Sequence, residues 1–585
     1  MTDTLGISIS KWTLKNAADY GLAIPAKVIS RVVAEHPERK KDMKGLMALI
    51  SEECKRVNAL AKEQAAAELA EFHFEEKPKE EEGERKITLP DPVPKHVMTR
   101  FPPEPSGYLH IGHAKAAFLN FESARQYGGG MRLRMDDTNP EKEKEEFVGN
   151  IISDLKWLGI SWVGEITYTS DYMDRLYDYA DELILKQKAY VCTCPAEEMK
   201  KNREKGEQCL CRTKFPEESM HEFRKMMNGK FNEGEAVLRF AGDMKADNTT
   251  LRDPTLFRII HKPHYRQGDK YKCWPSYDFA APIIDSLEGV SHAMRSKEYE
   301  LRETLYYYIT KILELRPAKL VHFSRLAIAG APVSKRLITP LIEEGKVSGY
   351  DDPRLPTLSA LRRRGIRPEA IRTFVLSFGL SKVESEPGWG KLLNENRKLI
   401  DPLAPRRFFV RDPVRLEISV LPPGKIAIKN HPTNGSLGIR EKDPSNIAYI
   451  GAADSEPLFE GSEFRLKDWC NVRVKEISQM EYLRPDGSIG AGKVIRADYV
   501  AMEGEVARKF QWVGENDRLF AQVLIPGDLY VDGKFNPDSL QVASGWVEKD
   551  AAGFEPGQIL QFERFGFVAL DRKEENKSTF IMTSQ

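Results

Sequence analysis

The clearest candidate for chemistry is a pair of histidines, His110 and His113, that follow a turn rich in proline and glycine. A spacing of three residues places both rings on one face of a helix, close to its N-terminus. From there the ring N–H groups and the helix dipole can stabilise an anionic phosphate chain. An isolated pair at this spacing is more often a surface or capping pair, so the surrounding residues must decide between the two interpretations.

Four clustered cysteines form a second candidate site. They occur as two pairs, Cys192-Thr193-Cys194 and Cys209-Leu210-Cys211. Four thiolates on two short turns can close a tetrahedral zinc site with no position left for water, which predicts a structural metal. Each pair has one intervening residue instead of the commoner two, so a buried reduced cluster or a relic site is the alternative. The other cysteines are expected to be single free thiols: Cys54, Cys273 and Cys470.

The histidines require a particular supporting structure. His96 to Phe101 reads as a strand, and two prolines with Ser106-Gly107 make a tight turn after it. A helix follows, because apolar residues recur at i, i+3, i+4 and i+7. Gly128 to Gly130 end this helix, and the run MRLRM is the next strand. A β-α-β unit of this kind is of the Rossmann type, in which phosphate groups lie at the helix N-terminus.

Length and composition set broader limits. A chain of 585 residues suggests about three to five domains. Lys plus Arg and Asp plus Glu number 88 each, and this balance neither indicates nor excludes a nucleic-acid partner. The acidic stretch 74–85 and the basic run 361–365 can each be solvated surface. No apolar run reaches membrane-span length and no signal sequence is present, so a cytoplasmic protein is expected.

The residue pattern changes along the chain. Helical spacing of apolar residues predicts helices within residues 1–74, and a charged linker follows at 75–94. Alternating strand and helix patterns then favour an α/β domain, and residues 334–404 are mostly helical. From residue 405, short β-rich runs such as RLEISVL, AQVLIPG and GFVALD predict one or two all-β domains, sandwiches or barrels.

The string TRFPPEPSGYLHIGHAKAA contains the HIGH signature of class I aminoacyl-tRNA synthetases, and it resembles the glutamyl and glutaminyl subclass closely. Downstream, Val333-Ser334-Lys335-Arg336 resembles the KMSKS loop of that subclass, although Pro332 and Val333 depart from its consensus. The resemblance covers about residues 95–575. The N-terminal helical extension is similar to that of archaeal and eukaryotic glutamyl-tRNA synthetases.

This resemblance implies a multidomain fold with an α/β Rossmann catalytic domain, an insertion, a helical connector, C-terminal all-β barrels and the N-terminal helical extension. The implied boundaries are 95–170 and 275–333 for the two Rossmann halves, 171–274 for an acceptor-stem-binding insertion, 334–404 for the connector and 405–585 for two anticodon-binding barrels. Some glutamyl enzymes resemble this chain in carrying zinc in that insertion.

The resemblance also assigns residues to ATP and Mg²⁺. His110, His113 and Lys335 would be catalytic, with Lys335 stabilising the charge that develops on the phosphates. ATP would also contact Glu104, Gly112 and Ser334. The reaction would need no side-chain nucleophile, and we identify none.

The amino-acid pocket is expected from matching motifs. Arg100 in TRFPPEP suits a carboxylate, Asp136 in MDDTNP suits an ammonium, and Tyr277 in CWPSYDFAAPIID faces the same crevice. For Asn139 we favour a structural role, as the cap of a helix that begins at Pro140.

Arg295, within SHAMRSKEY, is expected to decide the substrate. In the glutaminyl enzymes this position carries a small uncharged residue, and in the glutamyl enzymes it is arginine. A buried guanidinium can pair with the γ-carboxylate of glutamate but offers no acceptor to a glutamine amide. The alternative is a surface ion pair between Arg295 and Glu298.

The implied function is ligation of L-glutamate to tRNA(Glu), while acceptance of tRNA(Gln) depends on the barrels and stays open. Arg406 and, more weakly, Arg465 match anticodon-contacting positions. The main rival is a glutaminyl-tRNA synthetase. A non-catalytic tRNA-binding paralogue is the second rival, and it predicts losses at the signature residues. We expect a monomer whose N-terminal region could dock other synthetases or contact the tRNA.

Overall fold

The computed structural model describes residues 4–20, 22–60, 62–70, 72, 86–421, 424–483 and 489–585. The chain divides into two compact units, residues 1–84 and 85–585. The acidic stretch 74–85 lies outside the described residues, as does most of the predicted linker. No helix in the described ranges is long and apolar enough to cross a membrane.

The first unit is helical, as predicted. Val28, Val32, Leu46 and Ile50 are buried between its helices because they recur at helical spacing. Asn58 fastens the turn before the second helix by exchanging hydrogen bonds with the backbone of Ala23 at 2.7 and 3.0 Å. The helices are α1 (Thr4–Tyr20), α2 (Pro25–Glu35), α3 (Met43–Asn58) and α4 (Lys62–Ala70).

The second unit begins with the predicted β-α-β structure, which is confirmed. Its three strands are parallel, in the spatial order β1-β2-β3. Gly129 is required where the helix returns to the sheet, because an added Cβ would lie 1.8 Å from the carbonyl oxygen of Val97. The elements are β1 (Met98–Phe101), α5 (Ile111–Gln126), β2 (Gly130–Met135), α6 (Glu145–Trp157) and β3 (Thr167–Tyr168).

An insertion built on an antiparallel four-stranded sheet follows, in the order β4-β5-β6-β7. Its core includes Phe223, Phe257 and Trp274, which are fully buried. The elements are α7 (Met173–Leu185), β4 (Ala189–Cys192), α8 (Ala196–Lys205), α9 (Pro216–Met227), β5 (Val237–Phe240), β6 (Thr255–Ile259) and β7 (Cys273–Pro275).

The chain then returns to complete the parallel layer. Strands β8 (His292–Ser296) and β9 (Lys319–Phe323) pair in parallel, and helices α10 (Tyr277–Leu287) and α11 (Glu303–Ile312) precede them. Ser291 joins the two halves: its N–H donates to the carbonyl of Met98 at 2.8 Å, and its Oγ accepts from the Met98 N–H at 2.7 Å. The carboxyl ends of β1 and β8 therefore open on the same side.

The helical connector packs its apolar faces against α5. Leu358, Leu361, Ile371 and Phe374 are fully buried in the core that they share with that helix. The connector helices are α12 (Lys335–Glu343), α13 (Leu358–Arg363), α14 (Pro368–Leu376) and α15 (Trp389–Ile400).

The C-terminal part forms two seven-stranded sheets and two separate two-stranded hairpins, which agrees with the prediction of β domains. One sheet has the order β19-β16-β17-β18-β12-β15-β20, and the other has the order β10-β25-β26-β27-β21-β24-β11. The elements are β10 (Arg406–Arg407), β11 (Phe409–Arg411), β12 (Pro413–Ile418), β13 (Ile426–Lys429), β14 (Ile439–Lys442), β15 (Ile447–Gly451), α16 (Ala452–Ser455), β16 (Glu463–Leu466), β17 (Asn471–Leu483), β18 (Ile489–Ala501), β19 (Lys509–Phe510), β20 (Val513–Gly514), β21 (Arg518–Pro526), β22 (Tyr530–Val531), β23 (Lys534–Phe535), β24 (Leu540–Glu548), β25 (Ile559–Phe562), β26 (Gly566–Glu574) and β27 (Lys577–Ser584).

Candidate active site

A cleft of about 1150 Å³ opens at the carboxyl ends of the parallel strands. Segments that follow β1, β2 and β8 contribute to its walls, as does the loop before α12. This is where ligands bind in open α/β sheets. The cleft brings together most of the residues that the sequence predicts for the site: Glu104, His110, Gly112, His113, Asp136, Tyr277, Arg295 and Ser334.

The two histidines form a capping pair at the start of α5. Nδ1 of His110 accepts a hydrogen bond from the Gly112 N–H at 3.1 Å, and Nδ1 of His113 accepts from the His110 N–H at 3.3 Å. Because each Nδ1 is an acceptor, these bonds assign the proton of the neutral ring to Nε2. Burial lowers the pKa of His113 to about 4, and burial beside His113 lowers the pKa of His110 well below its usual value. Both rings are therefore neutral at pH 7 and present Nε2–H donors.

Glycine is required at position 112 by the protein itself. A Cβ there would lie 2.9 Å from Cε1 of His110 and 3.0 Å from the carbonyl oxygen of Leu326. A side chain would push apart the histidine cap and the segment that leads to the second signature. This packing constraint acts in addition to the close approach of a nucleotide that the sequence suggests.

The second signature folds back onto the first. Ser334 is the N-cap residue of α12 and lines the cleft. Nζ of Lys335 donates to the carbonyl oxygen of Ser106 at 2.7 Å and lies 4.9 Å from the centre of the Phe147 ring. Lys335 itself is not among the described residues that line the cleft. Its ammonium thus reaches the turn that precedes the histidines, at the rim of the cleft.

Asp136 directly follows β2 and lines the cleft. Its Oδ1 accepts a hydrogen bond from Oγ1 of Thr169 at 3.2 Å. Burial raises the pKa of Asp136, and the neighbouring Arg134 opposes that shift. The carboxylate is therefore poorly solvated, and a cation in the cleft would stabilise its charge.

The prediction that Asn139 caps a helix beginning at Pro140 is wrong. Asn139 instead starts a turn, in which its carbonyl accepts from the Lys142 N–H at 3.1 Å. Its own N–H donates to Oε1 of Glu143 at 2.8 Å, and helix α6 begins only at Glu145. The Glu143 carboxyl group therefore accepts the hydrogen bond of the Asn139 N–H, and this bond stabilises the turn without a helix cap.

Arg100 belongs to a buried ion-pair network behind the cleft. Its side chain is 0% exposed, and it donates to Oδ1 of Asp285 at 3.0 Å and to the carbonyl of Met294 at 2.9 Å. Arg134 donates to the same carboxylate at 2.6 Å. Although burial opposes ionisation, the two arginines keep the pKa of Asp285 below its usual value. Among the described residues, Nη2 of Arg100 has no hydrogen-bond partner.

Arg295 lies in the cleft with a guanidinium that is held by aromatic rings. The residue is 4% exposed, and its guanidinium carbon lies 5.3, 5.1 and 5.7 Å from the ring centres of Tyr277, Tyr299 and Tyr306. Within the described ranges, Nε and Nη1 of Arg295 have no hydrogen-bond partner. Glu298 pairs with Arg325 at 3.0 Å, which argues against the alternative of a surface pair with Arg295.

The four cysteines converge in the insertion. Their sulfur atoms all lie within 4.8 Å of one another, and Cys192–Cys209 and Cys194–Cys211 are each separated by 3.8 Å. A tetrahedral zinc ion with Zn–S bonds of about 2.3 Å needs sulfur atoms about 3.8 Å apart. Nη1 of Arg239 lies 3.8 Å from the Cys192 sulfur and can stabilise its thiolate form. The residues therefore fit a zinc ion.

The two arginines predicted to contact the anticodon differ in how many of their donors are used within the protein. Arg406 is partly exposed at the start of β10, and its nearest carboxylate, Asp401, is 3.7 Å away. Arg465 donates to the side chain of Asn471 at 3.0 Å, to the carbonyl of Met502 at 2.9 Å and to that of Trp469 at 3.1 Å. Its donors are used inside its own sheet.

Several residues of the site were not predicted from the sequence. Asp285 and Glu288 hold Arg134, and Tyr299 and Tyr306 flank the Arg295 guanidinium. A buried acid in the apolar run AAPIID is the signal that could have revealed Asp285, because such an acid needs a cationic partner.

Comparisons with known proteins agree with this geometry. Residues 96–401 match the family model of the catalytic domain of class I tRNA synthetases (E and Q). Residues 404–484 and 509–571 match two models of the anti-codon binding domain of the same enzymes.

Two curated relatives cover almost the whole chain. A glutamate–tRNA ligase of Nitrosopumilus maritimus (strain SCM1) is 42% identical and covers 98% of this chain and 99% of its own. A glutamate–tRNA ligase of Pyrococcus abyssi (strain GE5 / Orsay) is 40% identical, with 98% of each chain covered. Matches of this extent over the cleft, the insertion and both C-terminal sheets show that the chain belongs to the class I tRNA synthetases of the glutamate and glutamine family.

Proposed function

We propose that this protein is a glutamate–tRNA ligase. It activates L-glutamate with ATP and Mg²⁺ to give glutamyl-adenylate and pyrophosphate, and it transfers the glutamyl group to the terminal ribose hydroxyl of tRNA(Glu). The observation that carries the amino-acid assignment is Arg295, a buried guanidinium in the cleft with two nitrogens that lack partners among the described residues.

The γ-carboxylate of glutamate supplies the acceptors that Arg295 lacks. A buried N–H group without a partner costs about 1–3 kcal/mol, and this cost is removed when the carboxylate binds. The amide of glutamine offers one oxygen and directs two N–H groups at a donor-only guanidinium, which leaves part of the site unsatisfied. The three tyrosine rings fix the guanidinium plane, so Arg295 cannot turn away from the wrong substrate.

The remaining groups of glutamate meet the rest of the cleft. Asp136 binds the ammonium, since its buried carboxylate lines the cleft and a cation there stabilises its charge. Arg100, which the sequence suggested for a carboxylate, is fully buried behind the cleft wall and does not contact the α-carboxylate; it supports the pocket through its bonds to Asp285 and to the carbonyl of Met294. Tyr277 closes the pocket against Arg295.

ATP binds along the start of α5. The Nε2–H groups of His110 and His113 donate to the phosphates, with Gly112, Glu104 and Ser334 beside them. Neutral imidazoles suit this role because they donate without needing a proton from solvent. Lys335 stabilises the negative charge that builds up as pyrophosphate leaves, and Mg²⁺ accompanies the nucleotide. The α-carboxylate oxygen of glutamate attacks the α-phosphate, so positioning and electrostatics are sufficient.

The other regions bind tRNA. The insertion holds the acceptor end, and zinc on Cys192, Cys194, Cys209 and Cys211 stabilises its tip. The C-terminal sheets contact the anticodon; the partly exposed Arg406 is the candidate contact, whereas Arg465 stabilises its own sheet. A non-catalytic paralogue is disfavoured because both signatures are intact and meet at the cleft.

The decisive experiment is aminoacylation with two amino acids and two tRNAs. With tRNA(Glu), we expect kcat/KM for glutamate to exceed that for glutamine by about 10²-fold or more. Equal or better use of glutamine would overturn the proposal. Parallel assays with tRNA(Gln) determine whether this enzyme also charges that tRNA with glutamate.

A further inference from the structure

A hairpin of the insertion packs directly against the amino-acid pocket. Residues 260–272, which connect β6 and β7, return to the catalytic half at the exit of β2. The hydroxyl of Tyr265 donates to Oδ2 of Asp137 at 3.2 Å, and Arg266 pairs with Asp171 at 2.9 Å. The insertion is thereby anchored on the residue that follows the proposed ammonium-binding aspartate.

His264 occupies the centre of this contact with a side chain that is 0% exposed. Its Nδ1 accepts hydrogen bonds from the N–H groups of Arg266 and Gln267 at 3.2 and 3.1 Å, which caps the hairpin turn. The ring proton must therefore be on Nε2. That nitrogen lies between two carboxyl groups, 3.6 Å from Oδ2 of Asp137 and 3.5 Å from Oε2 of Glu143. It makes no hydrogen bond to any described residue, so its interaction with the two groups is electrostatic.

The two carboxyl groups have different surroundings. Asp137 accepts from the N–H and the hydroxyl of Ser170, each at 2.8 Å, and from Tyr265, so these hydrogen bonds offset part of the cost of burying its charge. Glu143 accepts only from the Asn139 N–H at 2.8 Å, and its Oε2 has no partner among the described residues. Burial raises the pKa of Asp137 to about 7 and that of Glu143 to about 8. Glu143 thus keeps its proton at neutral pH.

Other ionisable groups face this cluster from both sides. On the cleft side, Glu143 shares the wall with two acidic side chains, Glu104 and Asp136, and with two cations, Lys142 and Arg258. On the hairpin side, Arg266 and Asp171 form an ion pair. The groups concerned are Glu104, Asp136, Tyr168, Asp171, Arg258, Tyr265 and Arg266.

We propose that Asp137, Glu143 and His264 form a buried clamp that positions Asp136 for the glutamate ammonium, with the Nε2–H of His264 facing the two carboxyl groups and Glu143 in its neutral form. Glu143 and His264 are then positioning residues, and the proposal rests on the role proposed for Asp136. Loss of the Glu143 proton places two anions on either side of the imidazole. Their repulsion displaces the loop after β2 and weakens glutamate binding.

The first test is the pH dependence of KM for glutamate, measured by ATP–pyrophosphate exchange in the presence of tRNA(Glu). In the unmodified enzyme this KM should rise about threefold or more between pH 7 and pH 9, whereas KM for ATP stays constant. Glu143→Gln keeps the acceptor for the Asn139 N–H but cannot ionise, so its KM for glutamate should change less than about twofold over the same range. Identical pH profiles for the two proteins would overturn the clamp.

The second test separates the two nitrogens of His264. His264→Asn keeps an acceptor at the position of Nδ1 and loses the Nε2–H, so KM for glutamate should rise about fivefold with little change in melting temperature. His264→Gln keeps an N–H near Nε2 and loses the turn cap, so the melting temperature should fall more than KM rises. If both variants change KM and melting temperature alike, His264 only fills space and the clamp is wrong.

Asp136→Asn distinguishes failure of this inference from failure of the proposed function. If it leaves KM for glutamate unchanged, the ammonium site itself is misassigned. If it raises that KM while Glu143→Gln keeps the pH profile of the unmodified enzyme, only the clamp is refuted.

Discussion

Two arginines in different regions of the molecule, Arg465 and Arg295, use their N–H groups differently. In the first C-terminal sheet, Arg465 donates to three acceptors of its own chain. In the cleft, Arg295 is almost fully buried, and two of its nitrogens have no acceptor within the described residues. Because an unpaired buried donor is destabilising, such a donor is retained where a ligand supplies the acceptor. The comparison distinguishes groups that stabilise the fold from groups that await a substrate.

The largest effect is expected for Arg295→Ala. The γ-carboxylate loses a desolvated partner, which corresponds to roughly 2–5 kcal/mol. The ratio of kcat/KM for glutamate over glutamine should therefore fall by about 10²-fold or more, with KM for ATP little altered. Arg465→Ala is the matched control, and its ratio should stay unchanged. A ratio within a few-fold of the starting value for Arg295→Ala would remove the distinction between the two arginines.

The next effect concerns the donors that face phosphate. His113→Ala and Lys335→Ala should each lower aminoacylation by about 10²-fold, or about 2.7 kcal/mol of activation free energy. Binding of tRNA, measured by filter retention, should remain nearly intact because these side chains lie at the nucleotide end of the cleft. Charging at the starting rate by either variant would show that the two signatures do not act on ATP.

The cysteine cluster is a further case of protein groups whose partner is a ligand, here a metal ion bound by four thiolates. Metal analysis should find about one zinc ion per chain, and replacing Cys192 and Cys209 together by Ser should abolish it. The double variant should also lose several degrees in melting temperature, because metal binding contributes to folding. A zinc-free protein with unchanged melting temperature and activity would count against the site.

A smaller effect is expected on the scaffold side. Arg465→Ala should lower the free energy of unfolding by about 1–3 kcal/mol, because it leaves two carbonyl groups and an amide without a donor. Its affinity for tRNA(Glu) should change little, whereas Arg406→Ala should weaken tRNA binding and reduce its salt dependence. Equal losses of tRNA affinity in both variants would show that Arg465 also contacts tRNA.

The smallest effect is a change in stability with pH. The folded-state pKa of His113 lies at about 4, below its unfolded value, so the folded protein binds fewer protons and loses stability as pH falls from about 6.5 towards 4. His113→Asn keeps an acceptor for the His110 N–H and removes this titration. Chemical denaturation should show that the unmodified protein loses about 1 kcal/mol more than the variant between pH 7 and pH 5.5. If the free energy of unfolding depends on pH in the same way in both proteins, the assignment of this effect to His113 is wrong.

Local patterns predicted the parts of the molecule that local forces determine. The β1–α5–β2 unit followed from helical spacing and glycine breaks, and the place of Arg295 followed from its motif. Long-range partners could not be predicted: Asp285 reaches Arg100 from 185 residues away. The error at Asn139 has a local origin, because its N–H donates to Glu143, four residues later, in a turn that the helix-cap pattern did not anticipate.

The interleaving of the C-terminal sheets has a consequence for synthesis on the ribosome. Strands β10 and β11 form the two edges of the second sheet. In the sequence they are separated from the other strands of that sheet by residues 413–514, which contain the strands of the first sheet. Strand β27 occupies an interior position between β26 and β21. The emerging chain must therefore hold β11 unpaired until β24 has been made and β10 unpaired until β25 has been made, and the sheet is complete only when β27 is present. Such contacts between distant segments form slowly, so this sheet is exposed to misassembly during translation.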